Sequence, residues 1–214
     1  MMTADLILSP KGFMAAVLLA ACYSPACHPW ISTRFGVSTA ALCISAVLVG
    51  TSLLALFVLM PLRDSFEFST AIAILGIIVG VVSLIFSVVA YTVNIHIFNL
   101  SPPEAAEAMK STRAGSVFFL LLMVGCAAIA EEILFRGIVQ SALASTLPVW
   151  LSIIATASVF AIYHLSVFQL LPTLVLGLLL GVVYQYAGLS AAVIAHVVFN
   201  LAGAGLMMLS SRSA

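Results

Sequence analysis

Glu131, Glu132 and Arg136 lie inside one apolar run, 117–143, of a 214-residue chain in which only 7% of residues are charged. An ionisable side chain in the middle of a membrane helix costs ~2.5–3.5 kcal/mol on insertion scales, so such groups mark function by default and need partners. Glu132 and Arg136 are four residues apart, share a helix face and can pair as ions. Glu131 is turned ~100° from Glu132 and is directed at another helix. Two later apolar runs carry His164 and then His196 with Asn200, again four apart and on one face. A carboxylate facing an imidazole can hold and activate a water. Glu131 would take its proton as general base and return it to a leaving amine, with His164 orienting the water. His196 and Asn200 offer donors to a developing oxyanion, an arrangement that a dry site strengthens. Together these groups suit hydrolysis of an amide without a protein nucleophile.

Competing chemistries fit the residues less well. The Gly-x-Ser-x-Gly elbow of serine hydrolases and the His-Glu-x-x-His zinc motif do not occur. Cys126 carries no sign of activation, and Cys22, Cys27, Cys43 and Cys126 form no C-x-x-C pair. No cofactor is expected, although two Glu with two His leave zinc open as an alternative. A lone intramembrane histidine has an ordinary explanation as a hydrogen-bond partner of a neighbouring helix. Ionisable and polar groups drawn from three spans of one small bundle do not. His28 in a loop and His96 at a span end are read as interfacial.

The elements that must position these groups follow from composition. Hydrophobic residues make up 64% of the chain, and Lys+Arg 7 balances Asp+Glu 7. That excludes a water-soluble enzyme, a disordered regulator and a secreted disulfide scaffold, and leaves no basic field for nucleic acid. The remaining class is all-α, a polytopic transmembrane helical bundle. Six spans are expected, near Val37–Met60, Thr70–Ile95, Ser116–Leu143, Pro148–Leu165, Gln169–Tyr186 and Leu189–Leu209. Phe13–Cys27, short and broken by Pro25, is a seventh apolar segment that spans, lies in the interface or is cleaved. Leu19-Ala20-Ala21-Cys22 resembles a lipoprotein cleavage box, against which stand Asp5 in the leader and the loop charges. The chain divides into an N-terminal apolar segment, 1–36, two accessory spans with an amphipathic surface loop, 37–114, and a catalytic four-helix core, 115–210. Short final connections make the last four spans antiparallel neighbours. Lys110, Arg113 and Arg212 favour a cytoplasmic side for the Asn99–Gly115 loop and the C-terminus.

Three short patterns carry a resemblance. Glu131-Glu132-x-x-x-Arg136 within Glu-Glu-Ile-Leu-Phe-Arg-Gly, Phe160-x-x-x-His164 and His196-x-x-x-Asn200 resemble the three motifs of the CPBP family. That family comprises the CAAX prenyl endopeptidases of the second type with bacteriocin-processing and abortive-infection proteins. The resemblance covers Glu131 to Asn200. It implies a glutamic intramembrane endopeptidase in a prokaryotic cytoplasmic membrane, acting on a membrane-associated protein or peptide. In that family the first Glu and the second-motif His activate water, matching Glu131 and His164. The third-motif pair serves the oxyanion, matching His196 and Asn200, and Glu132 and Arg136 match supporting positions. Alternatives are a non-catalytic immunity or binding protein of the same fold, a sorting-type protease of C-terminal tails, and a proton-coupled carrier. One geometric demand stands out. His164 lies ~24 Å along its span and His196 only ~11 Å along a span starting on the same side, so the helices must tilt or shift for the two to meet.

Overall fold

The computed structural model describes residues 66–101, 125–164 and 166–206, together with the backbone of 207–210. The expected spans Phe13–Cys27 and Val37–Met60, the first part of Ser116–Leu143 and the amphipathic loop beyond Ser101 lie outside the described residues. So do His28, Cys22, Cys27, Cys43 and the orienting charges Lys110, Arg113 and Arg212.

Every element among the described residues is helical. Helix α1 is Thr70–His96, opened by Ser69, whose hydroxyl accepts from the Ile72 amide at 3.2 Å. It closes near Asn99, which adopts φ 53°, a conformation asparagine tolerates. Helix α2 covers residues 125–144 and contains a π-helical stretch, Ile133–Gln140, followed by a last α-turn, Ser141–Ala144. Helix α3 is Val149–Tyr163. The helical run Val167–Ser210 is interrupted at Gly188, with φ 80° and ψ −178°. That backbone conformation is essentially open only to glycine. It divides the run into α4, 167–187, and α5, 189–210. The break falls between the expected spans Gln169–Tyr186 and Leu189–Leu209.

Side-chain neighbours fix the helix directions. Arg136 and Gln140 of α2 meet Gly177 and Gly181 of α4 in the same order, so these two helices run parallel. Added Cβ atoms on Gly177 and Gly181 would meet Ala157 and Ile153 of α3, in reversed order, so α3 is antiparallel to α4. Asn94 and Ser87 of α1 face Phe168 and Pro172 of α4 in reversed order, while Gly76 and Gly80 face Ile194 and Val198 of α5 in the same order. Helices α4 and α5 therefore form a hairpin about Gly188, and α2 to α5 alternate up and down as short connections require. A buried cluster including Ile133, Phe135, Phe160, Leu176, Leu180 and Leu189 fills the centre.

Two stretches, Thr70–His96 and Val167–Leu206, are long and apolar enough to cross a membrane, and Val149–Tyr163 is a shorter apolar helix. The second stretch is the hairpin, and each of its arms is roughly 30 Å long, the thickness of a hydrocarbon core. The polarity of α1 is inverted relative to a helix of a water-soluble bundle. Its buried face is Gly76, Gly80, Ser83, Ser87, Ala90 and Asn94, whereas Ile74, Ile78, Ile85 and Val89 are exposed. Small and polar residues inside with aliphatics outside is the pattern of a helix solvated by lipid and packed through close backbone approach.

That approach is tightest at Gly80, where an added Cβ would lie 2.6 Å from the Ala195 carbonyl oxygen and 2.9 Å from Val198. A Cβ on Gly205 meets nothing within 4 Å. Gly80→Ala is expected to lower stability by about 1–3 kcal/mol through overpacking, and Gly205→Ala to leave it unchanged or slightly raised, as read by thermal unfolding in detergent.

Candidate active site

The site begins with the winding of α2. In an α-helix each step of four residues overshoots a full turn by ~40°. A π-turn, with its i→i+5 bonding, holds more residues per turn and carries that drift back the other way. Glu132, Arg136 and Gln140, spaced four apart, are each 0% exposed, and Arg136 and Gln140 both reach carbonyls of α4. Plain α-helical spacing anticipates the Glu132–Arg136 pair but not the extension of the row to Gln140. The widened winding is supported at its far end, where the Ser141 hydroxyl donates to the Arg136 carbonyl at 3.1 Å. Tyr184 of α4 then donates to Ser141 at 2.6 Å.

Arg136 Nε comes within 3.1 Å of Glu132 Oε2, but the two are not aligned as a hydrogen bond, so charge rather than directionality holds them. The guanidinium also donates from Nη2 to the Gly177 carbonyl at 3.3 Å and lies 5.2 Å from the centre of the Phe160 ring. Gln140 Nε2 donates to the Gly181 carbonyl at 3.0 Å. The other oxygen of Glu132, Oε1, accepts from His196 Nδ1 at 2.8 Å. Glu132 therefore joins Arg136 on its own helix to His196 on α5. This fixes the imidazole: Nδ1 carries a proton toward Glu132, and Nε2 is the free end.

That free end lies 3.6 Å from Glu131 Oε2. Glu131 is rotated off the Glu132 face, as its position in the helix requires, and keeps 13% side-chain exposure while Glu132 has none. The separation exceeds a direct hydrogen bond but lets one water bond to both groups. The imidazole of His196 thus lies beside Glu131, for which the sequence reading names His164 as the partner in holding a water.

His164 sits just past the end of α3 and leans back along it, as helical side chains do. Its Nδ1 donates to the Phe160 carbonyl at 2.8 Å, and its ring meets Phe160 edge to face at 4.8 Å. A carbonyl only accepts, so this contact also commits Nδ1 as a donor and leaves Nε2 available. The backward lean and the shared neighbour Phe160, whose ring is 5.9 Å from His196, reconcile the different depths of the two histidines.

Glu131, His164, His196 and Asn200 all line one cavity of about 140 Å³, with Tyr91, Gln169, Pro172, Thr173, Leu176 and Phe199 completing the wall. Glu132 and Arg136 stand behind it. Sequence reasoning missed Tyr91, Gln169 and Thr173. It missed Gln140 too, which α-helical spacing carries off the face of Glu132. Among the described residues no group of three His, Cys, Asp or Glu side chains is arranged to hold a metal ion. His96 is exposed in the last turn of α1, and Cys126 is a free, half-buried thiol.

Removing one member of a buried ion pair leaves the other charge uncompensated, at a cost of about 3–5 kcal/mol. Glu132→Ala is therefore expected to destabilise the protein strongly, and Glu131→Gln to change stability by less than about 1 kcal/mol. Thermal unfolding of the purified variants measures both.

Comparison with known proteins adds one finding. Residues 113–202 match the family described as Type II CAAX prenyl endopeptidase Rce1-like. No curated protein and no solved structure matches the chain. The matched stretch, 113–202, contains Glu131, Glu132, Arg136, His164, His196 and Asn200, and over it the chain is similar to the CAAX-protease, or CPBP, family.

Proposed function

We propose that the protein is a multi-pass intramembrane endopeptidase that hydrolyses a peptide bond in a membrane-associated protein or peptide with a water activated by Glu131. The observation carrying this reading is the shared cavity, which Glu131, His164, His196 and Asn200 line together. Similarity to a protease family over residues 113–202 supports it as well.

In this mechanism a water hydrogen-bonds Glu131 and the Nε2 atom of His164. Glu131 accepts a proton from that water as its oxygen bonds to the scissile carbonyl carbon. Electrons move to the carbonyl oxygen, and the resulting oxyanion is met by donors on α5. Asn200 offers its amide N–H. His196 contributes as a donor only when doubly protonated, because its Nδ1 proton is committed to Glu132. With that single proton, His196 Nε2 accepts from the water only in place of His164, because the water's two hydrogens serve Glu131 and one imidazole. Collapse of the intermediate breaks the C–N bond, and the proton held by Glu131 passes to the departing amine. One water is consumed, and a carboxyl terminus and an amine result.

Burial serves this chemistry. The cavity walls are mostly helix, so the dipoles facing the oxyanion act in a medium of low dielectric and need little reorganisation. An extended substrate segment must still present its carbonyl within a membrane-embedded bundle, which suits a peptide tethered to the bilayer. A lipid-modified C-terminal tail is the substrate class that the family description suggests.

The test uses purified full-length protein in detergent and a farnesylated peptide ending in a CAAX sequence, alongside the membrane proteome of cells carrying either form. Glu131→Gln is expected to lower cleavage by about 10²–10⁴-fold, and Asn200→Ala by about 10²–10³-fold. Both variants should keep the wild-type unfolding temperature. Loss of a trimmed peptide from the proteome on Glu131→Gln identifies the native substrate. An unchanged set of trimmed peptides, with the phenotype intact, removes Glu131 as the base and favours a binding role.

A further inference from the structure

Helix α4 contains a proline at its sixth position, Pro172, buried against the rest of the bundle. Proline has no amide hydrogen, so the carbonyl four residues earlier, that of Phe168, loses its helical partner. In an apolar interior an unpaired carbonyl is costly. Here another helix supplies the missing donor: Nδ2 of Asn94, on α1, donates to the Phe168 carbonyl oxygen at 2.6 Å. Asn94 is 2% exposed, so no solvent competes for that bond.

The same face of α1 makes two further contacts with this turn. Ser87 donates to the Pro172 carbonyl at 3.5 Å. Tyr91 stacks on the Phe168 ring, with centroids 5.2 Å apart and planes 22° from parallel. Positions 87, 91 and 94 follow helical spacing and form one stripe. The turn they grip is a wall of the active-site cavity, contributed by Gln169, Pro172, Thr173 and Leu176. Helix α1 lies outside the family-matched stretch 113–202.

We propose that Asn94 is a positioning residue of the active site, supplying from α1 the hydrogen bond that Pro172 denies α4 and so holding the first turns of α4 in place as the cavity wall. This deepens the hydrolase reading and rests on it only for the effect on cleavage. The hydrogen-bond exchange itself is independent of any activity.

A double-mutant cycle on the full-length protein tests it. Pro172→Ala restores an amide hydrogen for the Phe168 carbonyl and makes the donor on α1 redundant. Asn94→Ala alone should lower the unfolding temperature, and in the Pro172→Ala background it should lower it much less. Hydrogen exchange then separates positioning from general support. Asn94→Ala should speed exchange of amides within 167–176 by about tenfold, with the amides of α3 and the second half of α4 unchanged. Cleavage of the farnesylated CAAX peptide should fall in Asn94→Ala, with Glu131→Gln as the inactive reference. Equal effects of Asn94→Ala in both backgrounds would overturn the proposed exchange of donors. Uniformly faster exchange across the bundle, or cleavage by Asn94→Ala at the wild-type rate, would reduce Asn94 to ordinary packing and overturn the positioning role. A Glu131→Gln protein as active as wild type defeats the hydrolase reading instead, while the cycle and the exchange pattern still decide the case of Asn94.

Discussion

The fold around the cavity depends on one carboxylate that water never reaches. Glu132 meets Arg136 through one oxygen and His196 through the other. Arg136 extends the chain of contacts to the Gly177 carbonyl on α4 and to the Phe160 ring on α3. A single buried charge is thereby linked to α2, α3, α4 and α5. Burying an ion is expensive, and a buried pair is weak as a stabilising device when compared with well-packed hydrocarbon. Its value here lies in geometry. Because Glu132 can only accept, His196 must direct Nδ1 toward it and Nε2 toward the cavity and Glu131. The ion pair spends stability to fix the tautomer and the aim of a site group, in the way outer partners orient metal-bound histidines.

Much of this architecture was legible in the residues. Charge is so scarce in the chain that Glu131, Glu132 and Arg136 within an apolar run stand out, and four-residue spacing separates the paired glutamate from its neighbour. Apolar run lengths place Thr70–His96 and Val149–Tyr163 to within two residues at each end. Gly188 was legible as a break but not as a conformation, since only the φ of 80° reveals how sharply the backbone reverses. The π winding was not legible at all. Side-chain pattern does not encode whether an amide bonds four or five residues back, and the choice is settled by what the neighbouring helices require of Arg136, Gln140 and Ser141. The pairing of Glu131 with His196, ahead of His164, was hidden for a related reason. Spacing says which residues share a face, but not which helix that face meets.

The membrane shapes the sequence in the same inverted sense throughout. Without water to drive apolar surfaces together, contact is gained by letting backbones approach. Gly76 and Gly80 admit α5 against α1, and Gly177 and Gly181 admit α3 and α2 against α4. Polar side chains then tie helices through carbonyls, as Gln140 does at Gly181 and Asn94 at Phe168. Each of these bonds crosses between helices distant in sequence. The bundle is specified less by a hydrophobic core than by a sparse set of small residues and donors.

The site draws on the family-matched stretch and on one helix that precedes it. The groups to which the proposed chemistry falls, Glu131, His164, His196 and Asn200, all lie within the family-matched stretch, as does the glutamate–arginine pair that holds His196. Tyr91, which lines the same cavity, belongs to α1, which precedes it. The first group must satisfy distances of a few ångströms and fixed donor directions, so its residue types have little freedom. The rest of the cavity wall, Tyr91 with Gln169, Pro172, Thr173, Leu176 and Phe199, is constrained by shape and polarity. Displacing Glu132 would disorder both the tautomer of His196 and the contacts among four helices.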